Sequence, residues 1–339
     1  MLLGFMEQEN KKNLVVHAGM HKTGSSSIQS SLFLNRDSLK EYDVAYTERG
    51  LVKDEEVGFR HLKFSNSLKQ HAFDEAALLS DIAHLNSLCA STIVVSHEDL
   101  LRLDLHEKAL KLLGESFNIS LIGYIKDPIL YFNDKYKEWV RRMGCALEPS
   151  DFVLQHFDYL YWDRLVKQWE SFIGRDNIYL SPFEKANFRN GSVLTHFYDL
   201  LSHICGSQID QERLAPLQAK QNTGLNNKAI LATLLANKES EHSHTGFKKR
   251  FIKSANQMRN LNSSGLVISR ECARQIKARS WHAWYYLKTH YNCDVSMKKL
   301  DEYKFDSAFH SYKNRYDIYQ NAHKKSLKKR ISQLLLPNA

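Results

Sequence analysis

The sequence predicts an α/β fold in which a parallel β-sheet is flanked by helices. Two observations lead to this prediction. Short apolar runs with strand character alternate with helical patterns between Leu14 and Gly206, and that alternation is typical of a parallel sheet covered by helices. The first of these runs also leads through a tight polar turn into the start of a helix. After Gly206 the pattern changes to helices without a convincing strand, so we expect a helical, basic carboxy-terminal region to follow the sheet.

The predicted elements follow from these patterns in chain order. Five apolar runs predict strands at residues 14–18, 44–47, 92–96, 119–125 and 177–180. Helical patterns predict helices at residues 24–35, 74–89, 106–115, 129–143, 151–173, 227–237 and 271–290. The polar, aperiodic segment 47–70 is expected to leave the sheet as a long excursion, of the kind that forms a lid or faces an acceptor. Segment 239–262 is rich in His, Ser, Lys and Asn, and we expect it to be mobile.

Charge divides the chain into two parts. With 339 residues and 43% hydrophobic composition, the chain can bury a large core. We place an α/β core at residues 1–215 and a helical basic extension, packed on that core, at residues 216–339. The core carries 24 Lys and Arg against 30 Asp and Glu, whereas the extension carries 23 against 8. Such an excess indicates an anionic partner, for example a polyanionic glycan, nucleic acid or an acidic membrane face, and the alternative is a solvated, lysine-rich helical surface.

Cysteine usage and the chain ends indicate a cellular location. The five cysteines are odd in number, widely spaced and lack a C-x-x-C pair, which favours a reducing cytoplasm over a zinc site or a disulfide framework. The amino-terminal MLLGFM lacks the basic start and longer apolar core of a secretory signal. Residues 323–339 join a cationic run to four aliphatic residues, a weak pattern for an interfacial helix. We therefore expect a cytoplasmic protein, with peripheral contact to an anionic inner-membrane surface as an open alternative.

The turn after the first predicted strand has the composition of an anion-binding loop. In LVVHAGMHKTGSSSIQS a strand pattern is followed by a helix start, where unsatisfied N–H groups and the helix dipole favour an anion. Gly19 and Gly24 have the spacing of the nucleotide loop G-x-x-x-x-G-K-[ST], but Ser25 stands at the lysine position and Lys22 is the lysine of the turn. A lysine there can stabilise a leaving group beside a bound anhydride without a metal. The alternative is an ordinary turn capped by serines.

The run HKTGSSSIQ resembles the 5′-phosphosulfate loop of bacterial sulfotransferases that use 3′-phosphoadenosine 5′-phosphosulfate (PAPS). The resemblance implies a P-loop-like loop, PAPS as co-substrate and no metal. It also implies that Lys22 is catalytic and that the donor is bound by Lys22, Thr23, Gly24, Ser25, Ser26 and Ser27.

A candidate general base follows the predicted strand 92–96. The run TIVVSHED places His97 and Glu98 at the carboxyl end of this strand, where ligands bind in open α/β sheets. The sulfotransferases that the loop resembles often have Ser-x-Glu here, which matches Ser96, His97 and Glu98. Either residue can take a proton from an acceptor, and we favour Glu98 over His97. The alternative is that the acidic residues cap the helix that follows.

A second landmark of the family is altered. After the predicted strand 119–125 the family has an arginine and, eight residues later, a serine, and both hold the 3′-phosphate of PAPS. Here Lys126 and Asp134 occupy these positions. Lysine keeps the charge but loses the bidentate fork, and an aspartate repels phosphate. We assign Lys126 to the 3′-phosphate, leave Asp134 unassigned, and note nearby cations that could compensate: Lys135, Lys137, Arg141 and Arg142.

The resemblance extends from residue 14 to about residue 235 and fades in the basic extension. It implies transfer of a sulfuryl group from PAPS to a hydroxyl or amine of a carbohydrate or glycolipid-type acceptor. Three alternatives remain: a kinase or nucleotidase that uses the same loop, a sulfotransferase-fold protein that has lost donor binding and acts as a scaffold, and a nucleic-acid-binding protein. We do not favour nucleic acid as the partner.

Overall fold

The computed structural model describes residues 11–20, 22–54, 58–101, 105–216, 227–239, 265–295 and 297–310. These residues belong to two compact units. The first unit draws on Met1–Asp127, Tyr161–Lys220 and His282–Val295, and the second on Pro128–Leu160, Gln221–Trp281 and Ser296–Ala339. Our expectations for MLLGFM and for the tail 323–339 lie outside the described residues, as does nearly all of segment 239–262. The predicted boundary between residues 215 and 216 stays a prediction.

A five-stranded parallel sheet forms the centre of the first unit and confirms the predicted α/β class. Its strand order is β2-β5-β1-β6-β7, and these strands are β1 Asn13–His17, β2 Val44–Tyr46, β5 Thr92–Ser96, β6 Asn118–Ile125 and β7 Ile178–Pro182. A separate antiparallel hairpin consists of β3 Val52–Asp54 and β4 Gly58–Arg60. Because β1 is the central strand, the loop that follows it emerges between the ends of two neighbouring strands.

Helices cover this sheet, because its apolar strands have to be shielded from water on both faces. The described helices of the first unit are α1 Ser25–Leu34, α2 Leu62–Ser67, α3 Glu75–Ser87, α4 Glu107–Ser116, α7 Trp162–Ile173 and α8 Val193–Cys205. Strand β5 is buried along its whole length, and so are the three aliphatic residues of β1. Strands that are buried on both faces have continuous apolar runs rather than alternating ones, which is why these strands could be recognised in the sequence.

The second unit is helical in its described part. It contains α5 Pro128–Glu138, α6 Pro149–Gln155, α9 Asn227–Glu239 and α11 Ser307–His310, and α5 continues into a wider helical turn at Trp139–Met143. Within this unit Asn237 of α9 donates hydrogen bonds to the backbone carbonyls of Val140 and Cys145, both at 2.9 Å. The long helix α10, Arg270–Tyr291, begins in the second unit and ends in the first.

Two expectations about local structure were wrong. The predicted helix 151–173 is broken into α6, a short 3-10 turn at Phe157–Leu160, and α7. The break separates side chains buried in different units, because Phe152 belongs to the second unit and Trp162 to the first. Segment 47–70, whose aperiodic sequence predicted a long loop, contains the hairpin β3–β4 and helix α2. Among the described helices, none has the length and apolar character needed to cross a membrane.

Candidate anion-binding and catalytic site

The carboxyl ends of the central strands place several candidate residues at one edge of the sheet. His17, the last residue of β1, is in register with Ser96 of β5 and Ile122 of β6. Two further backbone hydrogen bonds extend the pairing past the strand ends, from His97 N–H to the His17 carbonyl at 3.1 Å and from Ala18 N–H to the Ile122 carbonyl at 2.9 Å. Ligands bind at such edges in open α/β sheets.

The loop from β1 to α1 has an unusual backbone. Gly24, the residue before α1, has a left-handed conformation with φ of 81° and ψ of 7°, and Lys22 also has a positive φ of 67°. A Cβ on Gly24 would lie 2.9 Å from Cγ1 of Val193, so this position accepts only glycine without rearrangement. A positive φ at a lysine costs about 1–2 kcal/mol, and such strain is concentrated at functional sites. Lys22 is exposed.

Polar side chains of the loop converge on one side of Gly19. A Cβ built on Gly19 would lie 2.9 Å from Ser25 Oγ, 3.0 Å from Thr23 Oγ1 and 3.2 Å from His17 Nε2. Thr23 Oγ1 donates to the Met20 carbonyl at 2.5 Å. Within the described part of the chain, Ser25 Oγ and His17 Nε2 are buried without a hydrogen-bond partner. Buried polar atoms are normally paired, so this group marks a place where a ligand or water completes the hydrogen bonding.

His17 was not among the predicted site residues. Its ring is fully buried, Nδ1 lies 2.7 Å from Ser96 Oγ, and the ring makes edge contacts with Tyr124 and Phe197. Burial lowers the pKa of His17 to about 4, while the neighbouring Glu98 carboxylate acts in the opposite direction. The imidazole is therefore neutral at pH 7. A histidine at the end of an apolar strand is most often a satisfied core residue, which is why the sequence did not single it out.

Glu98 lies beside the same loop. Gln29 Nε2 of α1 donates to Glu98 Oε2 at 3.2 Å, and Arg60 Nη1 of β4 donates to Glu98 Oε1 at 3.1 Å. The carboxylate is thus held against the helix that begins at the loop, and only 8% of the residue is exposed. His97 is also completely buried. Which of the two accepts a proton stays a prediction.

Arg60 is a site residue that sequence reasoning missed. It reaches Glu98 because hairpin β3–β4 packs on α1, where the rings of Phe59 and Phe33 stack with centroids 4.0 Å apart and an angle of 8° between the planes. Tyr46 of β2 adds a hydrogen bond from its hydroxyl to the Phe59 carbonyl at 2.6 Å. The polar segment 47–70 gave no signal that a basic residue there would meet a carboxylate nearly forty positions later.

Lys126, predicted to bind the 3′-phosphate, and Asp134, which was left unassigned, belong to different units. Lys126 is half-buried just after β6 in the first unit. In the second unit, Asp134 Oδ1 accepts a hydrogen bond from Asn133 Nδ2 at 3.2 Å, and Asn133 Oδ1 accepts one from Val267 N–H at 2.8 Å. Of the neighbouring cations, Lys135 is buried with its ammonium 5.6 Å from the Tyr159 ring centroid. Asn133 thus has a structural role, and the assignment of Lys126 stays a prediction.

Comparison with models of protein families finds no match for this sequence, and comparison with curated proteins finds none either. Comparison with solved structures finds, among others, the crystal structure of a sulfotransferase from Alicyclobacillus acidocaldarius. The two chains are 11% identical and align with a TM-score of 0.45 over 83% of this chain and 96% of the other. In the described part of the chain, no three His, Cys, Asp or Glu residues are grouped so that they could hold a metal ion.

Proposed function

We propose that this chain is a sulfotransferase that moves a sulfuryl group from PAPS to a hydroxyl or amine of a carbohydrate or glycolipid-type acceptor. The observation that carries the proposal is the convergence of buried, unpartnered polar atoms at the loop Gly19–Ser25, next to a carboxylate that is held in place. These residues fit a phosphosulfate group, because hydroxyl groups and the start of a helix bind tetrahedral oxyanions. The sequence HKTGSSSIQ supplies the resemblance to PAPS-binding loops.

In this proposal each residue has one task. Glu98, or alternatively His97, takes the proton from the acceptor hydroxyl or amine. The acceptor atom then attacks sulfur while the bond from sulfur to the bridging oxygen breaks. Lys22 stabilises the negative charge that develops on that oxygen of the leaving 3′-phosphoadenosine 5′-phosphate, and the residues from Thr23 to Ser27 hold its 5′-phosphate. Lys126 contributes charge for the 3′-phosphate. The transfer is thus a single in-line displacement at sulfur, proposed without a metal.

Calorimetric titration with 3′-phosphoadenosine 5′-phosphate tests the proposal. We expect wild type to bind this ligand and Lys22→Ala to bind it about 10- to 100-fold more weakly, because a charge-assisted contact is lost. Lys111→Ala removes an exposed lysine of α4 and should bind like wild type. ATP with Mg²⁺ is the control for a kinase. Tight binding of ATP alone, or no binding of any of these ligands, would contradict the proposal and favour the kinase or the scaffold alternative.

The 3′-phosphate assignment needs a second ligand. Adenosine 5′-phosphate differs from 3′-phosphoadenosine 5′-phosphate only in lacking the 3′-phosphate, so it should bind more weakly if Lys126 contacts that group. Lys126→Ala should then remove the difference between the two ligands. Equal affinity of wild type for both would show that the donor of this protein is not recognised through its 3′-phosphate.

Transfer itself is measured with radiolabelled PAPS and a panel of glycan and glycolipid acceptors. Glu98→Gln keeps the size of the side chain but cannot take a proton, and it retains one accepting oxygen for the bonds from Gln29 and Arg60. We expect it to bind 3′-phosphoadenosine 5′-phosphate like wild type and to transfer sulfate at least about 100-fold more slowly. Full activity of Glu98→Gln would assign the base to another residue, with His97 the first to examine.

A further inference from the structure

We propose that His17 is an additional anion-binding residue of the loop, in which Nε2–H donates a hydrogen bond to a phosphoryl oxygen at the start of α1 and Ser96 fixes the tautomer that carries this proton. The inference deepens the proposed function, since it rests on an oxyanion being bound at this loop. It concerns a buried residue of β1 to which neither the motif nor the resemblance assigns a role.

The position of Nε2 is the first step. His17 is the last residue of the central strand, two positions before Gly19 of the loop that leaves this strand. Nε2 lies 3.2 Å from the point that a Cβ on Gly19 would occupy, and Ser25 Oγ and Thr23 Oγ1 lie near the same point. A side chain at position 19 would collide with these polar atoms, so glycine is what allows them to lie close to the backbone of the loop.

The hydrogen bonding of the ring is the second step. Nε2 is buried and has no partner among the described residues, although leaving a buried donor or acceptor unpaired costs about 1–3 kcal/mol. Ser25 Oγ, the other unpaired atom of this group, lies in the first residue of α1. Two unpaired groups that lie close to one point of the loop, beside a helix amino terminus, point to an oxyanion as the partner that completes their hydrogen bonds.

The tautomer is the third step. In the described structure, Ser96 Oγ has His17 Nδ1 as its hydrogen-bond partner, at 2.7 Å. Among the described residues the Ser96 hydroxyl has no other acceptor for its proton, so we assign Ser96 as the donor to Nδ1 and the imidazole proton to Nε2. The ring is neutral because burial lowers the pKa of His17 to about 4. A neutral Nε2–H group can donate to an anion without carrying a charge of its own.

His61 provides an internal control. It is also fully buried, and burial lowers its pKa to about 4. Its Nδ1 accepts from Ser96 N–H at 3.1 Å and its Nε2 donates to the Thr47 carbonyl at 2.9 Å, so both nitrogens are occupied by backbone groups. His61 therefore has the same tautomer and burial as His17, but its Nε2 is not available to a ligand.

Nitrogen NMR of the full-length, histidine-labelled protein tests the proposal directly. The probes are 3′-phosphoadenosine 5′-phosphate, inorganic pyrophosphate and sulfate at pH 7, and the His17 signals are assigned from His17→Asn. We expect a protonated Nε2 whose resonance shifts on anion binding, while the His61 resonances stay in place. A proton on Nδ1, or an Nε2 signal that no anion moves, would overturn the proposal.

Two substitutions at position 17 distinguish the loss of the Nε2–H donor from the loss of packing by the imidazole ring. Gln places an amide nitrogen as many bonds from the backbone as Nε2, whereas Asn keeps a polar group at the Nδ1 position and loses the donor. We expect His17→Gln to keep anion affinity within about 3-fold and His17→Asn to lose about 10- to 100-fold. Equal affinities of wild type and His17→Asn would refute the donor role.

Ser96→Ala and the choice of anion complete the test. Ser96→Ala removes the hydroxyl that fixes the tautomer, so it should weaken anion binding, whereas His61 should keep its tautomer because it is bonded to the Ser96 backbone N–H and not to the hydroxyl. If wild type binds pyrophosphate with a shift at His17 but does not bind 3′-phosphoadenosine 5′-phosphate, the proposed function fails and the role of His17 stands. If the nucleotide binds without any change at His17, the proposed function stands and this inference fails.

Discussion

Buried histidines make the stability of this protein dependent on pH. The pKa values of His17 and His61 are both lowered to about 4 by burial, whereas an unfolded chain has histidine pKa values near 6.5. Between these values the unfolded state binds protons that the folded state excludes, so stability falls as the pH is lowered from 6.5 towards 4. We expect each of the two residues to cost about 2 kcal/mol of unfolding free energy between pH 7 and pH 5.

Urea unfolding at pH 7 and pH 5 measures this effect. His17→Gln removes one titrating group. Between pH 7 and pH 5 this variant should therefore lose about 2 kcal/mol less unfolding free energy than wild type. Leu79→Gln, at an exposed residue that does not titrate, is the control and should lose as much unfolding free energy between the two pH values as wild type. A wild-type protein that is as stable at pH 5 as at pH 7 would contradict the lowered pKa values.

At the scale of residues, the sequence predicted which local motif carries reactive and charged groups, but not which distant residues contact them. Lys22, Gly24 and Ser25 were predicted as site residues because an anion-binding loop needs a cation, a tight turn and hydroxyl groups within a few consecutive positions. Arg60 and His17 were not, because Arg60 meets Glu98 only through the packing of a hairpin, and the contact of His17 with Gly19 and Ser25 appears only in the folded chain. Interactions between distant segments are invisible in a single sequence.

At the scale of elements, the junction between β1 and α1 has the most demanding backbone. Gly24 and Gly206 have similar left-handed conformations, with φ of 81° and 70°. A Cβ on Gly24 would clash with Val193 and lie close to Phe183, whereas a Cβ on Gly206 meets nothing within 4 Å. We expect Gly206→Ala to cost about 1–2 kcal/mol for the left-handed backbone and Gly24→Ala clearly more.

Thermal unfolding and ligand titration of both variants check this expectation. Gly24→Ala should also weaken binding of 3′-phosphoadenosine 5′-phosphate, since the first turn of α1 has to move, and Gly206→Ala should not. Similar melting temperatures and similar affinities in the two variants would mean that the loop tolerates a side chain at Gly24.

A stacked pair of rings, Phe33 and Phe59, lies between hairpin β3–β4 and α1. The contact between Phe33 and Phe59 attaches the hairpin to α1, so Phe59→Ala should destabilise the hairpin locally by about 1–3 kcal/mol. Hydrogen exchange should then be faster in the amides of Val52 and Arg60, which pair across the hairpin, and unchanged in the central sheet.

Phe73→Ala is the matched control for this experiment. Phe73 stacks on His106 with centroids that are also 4.0 Å apart, but this pair lies outside the hairpin. Its removal should leave exchange of the hairpin amides unchanged. Equal protection of the hairpin in wild type and Phe59→Ala would show that other contacts hold Arg60 beside Glu98.

Elements that are buried on both faces were easier to predict from the sequence than short, partly exposed ones. Strand β5 was predicted with its observed bounds, because a strand buried on both faces has an unbroken apolar run between polar ends. Strands β3 and β4 were missed because each has three residues and no distinctive pattern. The break after α6 was missed because helical periodicity continues across it, and the sequence does not record that the chain changes units there.

At the scale of the whole molecule, the chain passes repeatedly between its two units. Residues His282–Val295, far along the chain, belong to the first unit together with Glu170 of α7. Tyr291 donates its hydroxyl to the Glu170 carboxylate at 3.0 Å, Tyr286 donates to the same carboxylate, and Leu287 is buried. Hydrogen bonds from Tyr286, Arg175 and Tyr291 lower the pKa of the Glu170 carboxyl group.

A fragment of residues 1–215, cut at the predicted boundary, therefore lacks part of its own unit. We expect the fragment to be less stable than the full chain by about 3 kcal/mol or more, since burial of side chains such as Leu287 is lost with the hydrogen bonds to Glu170. Urea unfolding measures the difference. The full-length variant Tyr291→Phe, which loses one hydrogen bond, should lose about 1–2 kcal/mol. A fragment as stable as the full chain would place residues 282–295 outside the folding unit.

The central place of β1 also affects how the protein is made. This strand is the first of the sheet to leave the ribosome, yet β5 and β6, between which it lies, end at Ser96 and Ile125. At about 5–20 residues per second, translation from His17 to Ile125 takes roughly 5–20 s. During that time the apolar residues of β1 have no finished sheet to join, which makes them a natural target for a chaperone. The loop that follows β1 gains its neighbouring strand β6 only after Ile125 has emerged, so the anion binding proposed for this loop is expected late in synthesis.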